Sequence, residues 1–141
     1  MRLLSRREHS QSELLRKLSV KGYEVANIQV VIDEFSNEGW QSDQRFAAAF
    51  FRQRIQNGFG PVRIDFEFKQ RGVDMTCADL EFEGRPAWSV VITEAYAKKY
   101  LSDQRQISSK EWAKRSRYLQ QRGFSGWMIK DLFDQLGLSF E

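Results

Sequence analysis

The same short phrase recurs three times along this chain of 141 residues, and each copy ends in glycine. The three glycines, Gly22, Gly72 and Gly123, lie 50 and 51 residues apart. In each phrase an apolar residue stands four positions before the glycine, a cation one before it and an apolar residue one after it. Further apolar residues follow six and ten positions past each glycine: Ile28 and Ile32, Ala78 and Phe82, Ile129 and Phe133. Recurrence at this period is typical of a tandem-repeat protein, in which each unit buries its apolar face against the next.

The patterns between these glycines predict helices. Ser10–Glu13 and Ser108–Glu111 are capping boxes, in which the Ser hydroxyl and the Glu carboxylate satisfy free N–H groups at a helix start. A glycine comes after each of these helices, and glycine readily adopts the left-handed conformation of the residue just past a helix end. We further predict Pro61 at a first helical position, helix caps at Asp43, Asp74 and Ser125, and a short helix over Ala78 and Phe82. With no alternating strand pattern, the chain is predicted to be all-α, with three helices in each repeat.

Composition shifts suggest where the repeats meet. We predict repeats at residues 1–40, 41–85 and 86–141, because Gly84–Pro86 interrupts the helical pattern and forms a joint with the capacity to flex. The first repeat is expected to be shortened at its N-terminus, since only nine residues precede Ser10. A unit of about 50 residues buries little surface alone, so neighbouring repeats are expected to supply the missing burial.

Several functional classes are disfavoured by the residues available. No apolar run approaches the roughly 20 residues of a membrane span, and no signal peptide is evident, so a cytoplasmic location is expected. His9 and Cys77 are the only histidine and cysteine, which leaves no zinc site and no Ser-His or Cys-His catalytic pair. We therefore predict no enzyme activity, no cofactor and no metal. His9 is expected to be exposed before the helix cap, and Cys77 to be a small apolar filler.

The cations are the better candidates for function. The net charge is only +3, but Ile92–Arg122 carries eight Lys or Arg against three Asp or Glu. The second helix of each repeat is rich in cations, and a regular stack would align them into a stripe that contacts a partner. The candidates are Arg16, Lys17 and Lys21 in repeat one, Arg63, Lys69 and Arg71 in repeat two, and Lys114, Arg115, Arg117 and Arg122 in repeat three.

Two alternatives stay open for these residues. Cations beside a terminating glycine also stabilise the negative end of their own helix, by about 0.3–1 kcal/mol. Lys21, Arg71 and Arg122 fit that interpretation, whereas the clustered Lys114, Arg115 and Arg117 favour partner contact. Most aromatic residues are expected in the core, and Trp40 and Phe59, which lie in turns, are the candidates for exposure.

A series of segments occurs in a fixed order along the chain: Ser5–Ser10, Glu13–Leu14, Lys17–Leu18, Lys21–Gly22, Gly39–Ala47, Gly58–Ile64, Arg71–Val73, Lys114, Arg117, Leu119 and Arg122–Phe124. Together they cover nearly the whole chain, and Gly58–Ile64 is the most specific of them. In this order and spacing they resemble the RecX family of regulators of the RecA recombinase.

This resemblance implies an elongated, curved array of three-helix repeats that binds along the groove of the RecA–DNA filament. It implies inhibition of the ATPase, co-protease and strand-exchange activities of RecA, and so modulation of recombinational repair and the SOS response. It also implies a weak, salt-dependent affinity for single- or double-stranded DNA, and we expect a monomer. The alternative is a helix-turn-helix-like DNA-binding module that acts without RecA, although no base-reading set of side chains is evident.

Overall fold

The computed structural model describes residues 3–4, 7–73, 87–100 and 105–140. Across these residues nearly all regular structure is helical, which confirms the all-α repeat array predicted from the sequence. The helices are α1 (Gln11–Val20), α2 (Val25–Asn37), α3 (Asp43–Gln56), α4 (Pro61–Gln70), α5 (Trp88–Lys99), α6 (Ser109–Gln121) and α7 (Gly126–Leu136). Two strands of two residues, β1 (Gln106–Ile107) and β2 (Ser139–Phe140), pair in parallel and were not predicted.

The helix starts follow the predicted caps in part. Ser10 accepts a hydrogen bond from the Glu13 N–H while the Glu13 carboxylate accepts one from the Ser10 N–H, which confirms the capping box of α1. Pro61 is the first residue of α4, as predicted. The cap predicted at Asp43 is wrong: Asp43 lies inside α3, and the hydroxyl of Ser42 accepts the hydrogen bond from Arg45 N–H. The Asp43 carboxylate instead accepts a hydrogen bond of 2.9 Å from the Gln11 N–H.

The helix ends carry the left-handed glycines that the repeated phrase predicts. Gly22, Gly72 and Gly123 have φ values of 97°, 73° and 103°. Such values strain residues that have a Cβ, so glycine is required wherever the chain reverses after the second helix of each repeat.

The chain divides into two compact units. Unit 1 comprises residues 1–52 and 65–83, and unit 2 comprises residues 53–64 and 84–141. Each unit has its own core. The core of unit 1 includes Leu14, Ile28 and Ile32, with a separate contact of the Phe50 and Phe68 rings at 5.5 Å. The core of unit 2 gathers α5, α6 and α7 around Val91, Ile92, Ala95, Tyr96, Leu119, Phe124, Ile129, Leu132 and Phe133.

Three sequence expectations concern individual side chains outside the helical pattern. Trp40 is 55% exposed, as predicted. His9 was expected to be exposed and is 1% exposed, so that expectation is wrong. Phe59, the other candidate for exposure, is buried, with 9% exposed. The predicted helix over Ala78 and Phe82, the Asp74 cap, Cys77 and the Gly84–Pro86 joint lie outside the described residues.

Candidate partner-binding surface

One face of α6 presents cations to solvent. Lys110, Lys114 and Arg117 are exposed and stand four and three residues apart, so they lie along one side of the helix. Ser108 caps this helix through its hydroxyl, which accepts from the Glu111 N–H at 3.0 Å. Lys114 and Arg117 were candidates from the sequence, and Lys110 adds a third member. We call these three residues the α6 face.

Arg115 lies on the opposite side of the same helix. Its side chain is buried, donates to the Tyr96 hydroxyl at 2.6 Å and pairs with Glu111 at 2.9 Å. Its guanidinium also lies 4.6 Å from the centre of the Tyr100 ring, a cation–π contact. These partners satisfy a charge that would otherwise be costly to bury. Burial removes Arg115 from any stripe of partner-binding cations.

The repeat spacing held a signal for this burial that was overlooked. Arg115 precedes Gly123 by eight residues, as Leu14 precedes Gly22 and Ile64 precedes Gly72. Leu14 and Ile64 are both fully buried. Position in the repeat therefore predicts the inward direction of Arg115 better than its charge does.

Arg122 and Arg63 take part in a contact between helix ends within unit 2. Arg122 donates to the carbonyl oxygens of Asn57 and Gly58, just past the end of α3, and its guanidinium lies 4.0 Å from the Phe59 ring centre. Arg63 lies 4.4 Å from the same ring and donates to the Gln121 carbonyl oxygen at 3.2 Å. Phe59 is thus covered by guanidinium groups, which explains its burial in a turn.

Backbone atoms complete this contact between the start of α4 and the end of α6. We call it the second joint, because a corresponding contact, the first joint, lies between residues earlier in the chain. The N–H groups of Gly60 and Val62, at the start of α4, donate to the carbonyl oxygens of Arg122 and Gly123 at 2.7 and 2.9 Å. Free N–H groups at one helix start thereby satisfy free carbonyls beyond another helix end. A Cβ on Gly60 would lie 2.5 Å from the carbonyl of Gly123, so only glycine allows this approach.

A corresponding contact, the first joint, occurs within unit 1. The Ser10 hydroxyl donates to the Arg71 carbonyl oxygen at 2.7 Å, and Arg16 donates to that of Gln70 at 3.3 Å. The Arg71 guanidinium lies 3.9 Å from the Glu13 carboxylate and donates to the Glu67 carbonyl oxygen of its own helix. Sequence reasoning assigned Ser10 only to a helix cap and missed its contact 61 residues away.

The remaining candidates are distributed over unit 1. Lys17 contacts the Nε2 atom of His9 at 3.0 Å. Lys69 pairs with Asp65 at 3.1 Å, and their side chains are 71% and 41% exposed. Such a pair contributes little to stability. Lys21 is exposed at the C-cap of α1.

Two titratable groups beside the first joint have shifted pKa values. Burial lowers the pKa of His9 below its ordinary value near 6.5, and the nearby charges of Arg7 and Lys17 act in the same direction. The pKa of Glu13 is also lowered: burial opposes this shift, but hydrogen bonds from Arg7 and the Ser10 N–H and the Arg7 charge outweigh it. The first joint therefore holds a neutral imidazole and an ionised carboxylate near neutral pH.

Among the described residues there is no group of three or more His, Cys, Asp or Glu placed to hold a metal ion. The described helices also include none long and apolar enough to cross a membrane. What the described residues do form is two compact helical units, each with a contact between helix ends, and cations lie at those contacts and on the α6 face. This arrangement defines the chain as an α-helical tandem-repeat protein.

Comparison with known proteins narrows this class. Models of the first, second and third three-helix domains of RecX match residues 1–35, 42–79 and 91–133. The regulatory protein RecX of Chromohalobacter salexigens is 41% identical over 88% of this chain and 81% of its own. That of Pseudomonas fluorescens is 38% identical over 94% of this chain and 85% of its own. The chain belongs to the RecX family.

Solved structures agree on the fold. A crystal structure of a regulatory protein RecX superposes with a TM-score of 0.71 and 19% identity, covering 94% of this chain and 66% of that one. RecX from Lactobacillus salivarius superposes with a TM-score of 0.69 and 19% identity, covering 96% of this chain and 90% of that one.

Proposed function

We propose that this chain is a non-enzymatic regulator that binds along the groove of the RecA–DNA filament. In this role it inhibits the ATPase, co-protease and strand-exchange activities of RecA, and so modulates recombinational repair and the SOS response. The observation that carries the proposal is membership of the RecX family over all three of its three-helix domains. The proposal includes a monomeric protein in the cytoplasm with repeats at 1–40, 41–85 and 86–141.

A tandem array suits this role physically. Each repeat offers a small contact area, and several weak contacts to neighbouring subunits of a filament add through effective concentration. A protein that bridges subunits in this way resists the rearrangements that accompany ATP turnover, because every rearrangement must break several contacts together.

We assign the contact with the RecA–DNA filament to the α6 face. Its three cations are exposed on one side of a helix whose other side is anchored in the core of unit 2 through Arg115 and Leu119. A rigid, exposed cationic face fits phosphates of filament DNA or carboxylates of a protein subunit. Arg16, Arg63 and Arg122 instead donate to backbone carbonyls at the joints, and Arg71 pairs with the Glu13 carboxylate, so we assign these four residues a positioning role.

The direct test is DNA-stimulated ATP hydrolysis by RecA, measured while the purified protein is added, together with co-sedimentation on RecA filaments. The expected result is a falling rate at substoichiometric amounts and recovery of the protein with the filament. An unchanged rate with no co-sedimentation would sink the proposal.

Charge reversal locates the contact. We expect the double variant Lys114→Glu/Arg117→Glu to inhibit RecA at least about tenfold less well. The matched control is Lys98→Glu/Lys130→Glu, which makes the same charge change at exposed positions of α5 and α7 and should keep its inhibition. If both double variants lost the same amount of inhibition, the change in net charge would explain the effect. If both inhibited RecA as well as the parent does, the contact would lie elsewhere than on α6.

Binding to DNA alone separates this proposal from the helix-turn-helix alternative. If phosphate contacts dominate, affinity for DNA falls steeply and uniformly as salt rises, whatever the sequence. Tight, sequence-dependent binding with no effect on RecA would favour the alternative.

A further inference from the structure

Helix α4 exposes two large apolar side chains on the side that faces away from its core contacts. Val62 is 58% and Phe66 61% exposed, and they stand one helical turn apart, so they are neighbours on the helix surface. Ile64 and Phe68, which are fully buried, lie on the opposite side of the helix. One exposed apolar residue needs no explanation, whereas neighbouring ones are candidates for a binding surface. We call Val62 and Phe66 the α4 pair.

The other repeats show that these two positions face outward in every repeat. They stand ten and six residues before the terminating glycine, where the three repeats hold Ser12 and Arg16, Val62 and Phe66, and Ala113 and Arg117. All six side chains are exposed. In repeat three the positions stay exposed although α5 and α7 both pack against α6, so their exposure follows from their place in the repeat. Repeats one and three place a small residue and a cation there, and repeat two places two large apolar residues.

The charges next to the α4 pair favour a protein surface over DNA as its partner. Asp65 and Lys69 pair with each other at 3.1 Å and leave no net charge beside it. The Arg63 side chain donates to the Gln121 carbonyl oxygen and lies over the Phe59 ring in the second joint. A site for phosphates needs an excess of cations, as on the α6 face. An exposed aromatic residue with a polar rim is instead typical of an anchor that fills a pocket on another protein.

We propose that the α4 pair inserts into an apolar pocket on a protein subunit of the RecA–DNA filament, with Phe66 as the anchor. This inference rests on the proposed function and deepens it. Phe66 takes the place in repeat two that Arg117 of the α6 face takes in repeat three. The α6 face supplies charge to the filament contact, and the α4 pair supplies apolar burial. Val62 lies beside Phe66 and excludes water from its edge.

The test compares substitutions that leave the net charge unchanged. The full chain and its variant Val62→Gln/Phe66→Gln are added to RecA–DNA filaments, and co-sedimentation and ATP hydrolysis are measured. The variant should require at least about tenfold more protein for the same inhibition. The matched control is Val90→Gln/Trp127→Gln, which removes a valine that is 46% exposed and an aromatic residue that is 67% exposed, and it should inhibit as the parent does. Thermal unfolding checks that both variants fold.

A second variant, Phe66→Arg, separates a protein pocket from DNA. It introduces the residue that repeats one and three hold at this position, so the helix can accommodate it. An apolar pocket should reject the cation, and inhibition should fall at least about tenfold, whereas affinity for single-stranded DNA without RecA should not fall. Inhibition that is kept or strengthened would overturn the proposal. A lower affinity for DNA alone would also overturn it, because Phe66 would then stack on bases.

The same measurements distinguish this inference from the proposed function. If the parent chain neither inhibits RecA nor sediments with the filament, both are refuted. If the parent inhibits and Val62→Gln/Phe66→Gln matches it, this inference alone is refuted. Sedimentation of the free chain covers one more occupant: a concentration-dependent dimer that Val62→Gln/Phe66→Gln dissociates would overturn the proposal and assign the α4 pair to a second copy of this chain.

Discussion

The two joints perform the same task with different chemistry. In the second joint the backbone N–H groups of Gly60 and Val62 meet the carbonyls that follow α6 directly. In the first joint the side chain of Ser10 bridges to the carbonyl of Arg71, and Glu13 adds an ion pair. The close approach in the second joint therefore depends on the absence of a Cβ at Gly60, whereas the corresponding contact in the first joint is made by polar and titratable side chains. One repeat geometry thus tolerates two chemistries, provided that the free groups at helix ends are satisfied.

Breaking the second joint sterically should have the largest effect. Gly60→Ala places a Cβ against the Gly123 carbonyl, so α4 and α6 must separate and lose two backbone hydrogen bonds. We expect the free energy of unfolding to fall by about 2–3 kcal/mol, measured by urea denaturation. Gly126→Ala is the control, because a Cβ there has nothing within 4 Å. Equal stability of the two variants would contradict the close approach.

Breaking the first joint chemically should cost less. Ser10→Ala removes both the helix cap and the hydrogen bond to the Arg71 carbonyl, and we expect a loss of about 1–2 kcal/mol. Ser108→Ala removes an exposed cap of the same kind and should cost about 1 kcal/mol or less. The difference between the two variants in the free energy of unfolding, measured by urea denaturation, gives the contribution of the hydrogen bond between Ser10 and the Arg71 carbonyl. No difference would mean that the contact with Arg71 contributes nothing.

Replacing the guanidinium of the second joint should be milder still. Arg122→Lys keeps the charge but loses the planar contact with Phe59 and the paired hydrogen bonds to Asn57 and Gly58, and we expect a loss of about 1 kcal/mol. For Arg117→Lys, on the exposed α6 face, the free energy of unfolding should stay within about 0.5 kcal/mol of that of the parent. A melting temperature for Arg122→Lys that matched that of Arg117→Lys would argue against a structural role for Arg122.

The smallest expected effect is a pH dependence that arises from His9, which lies beside the first joint. Since folding lowers the pKa of His9, the unfolded chain binds the proton more readily. Its contribution to stability is therefore complete above pH 6.5 and is lost as the pH falls from there through the folded pKa. His9 is the sole histidine, so His9→Gln should flatten the stability profile between pH 7.5 and 5.5. An unchanged slope in that variant would assign the pH dependence to a group other than His9.

Repeat one and repeat three also differ in what their apolar spacing could predict. The apolar spacing identified Ile28 and Ile129 as equivalent, and both are buried. It could not show that Tyr23 is open while Phe124 is covered, because cover depends on how another helix, α5 in repeat three, packs against these positions. Exposure is a property of neighbours in space, and apolar spacing reports only one side of the contact.

The candidate cations show the same division. Lys114 and Arg117 are exposed, but Arg115 between them is buried, and charge alone suggested one role for all three. His9 and Phe59 were misjudged for a related reason. Sequence position before a cap or in a turn favours exposure, yet Lys17 contacts His9 and guanidinium groups cover Phe59.

By itself the sequence determined the elements whose causes are local. The repeat period, the helix caps at Ser10 and Ser108 and the left-handed glycines follow from steric and hydrogen-bonding rules that act within a few residues. Only the tertiary structure decided which polar groups meet across 50 or more residues, as Ser10 meets Arg71 and Gly60 meets Arg122. Those contacts depend on how helix ends approach one another, and no spacing along the chain encodes that approach.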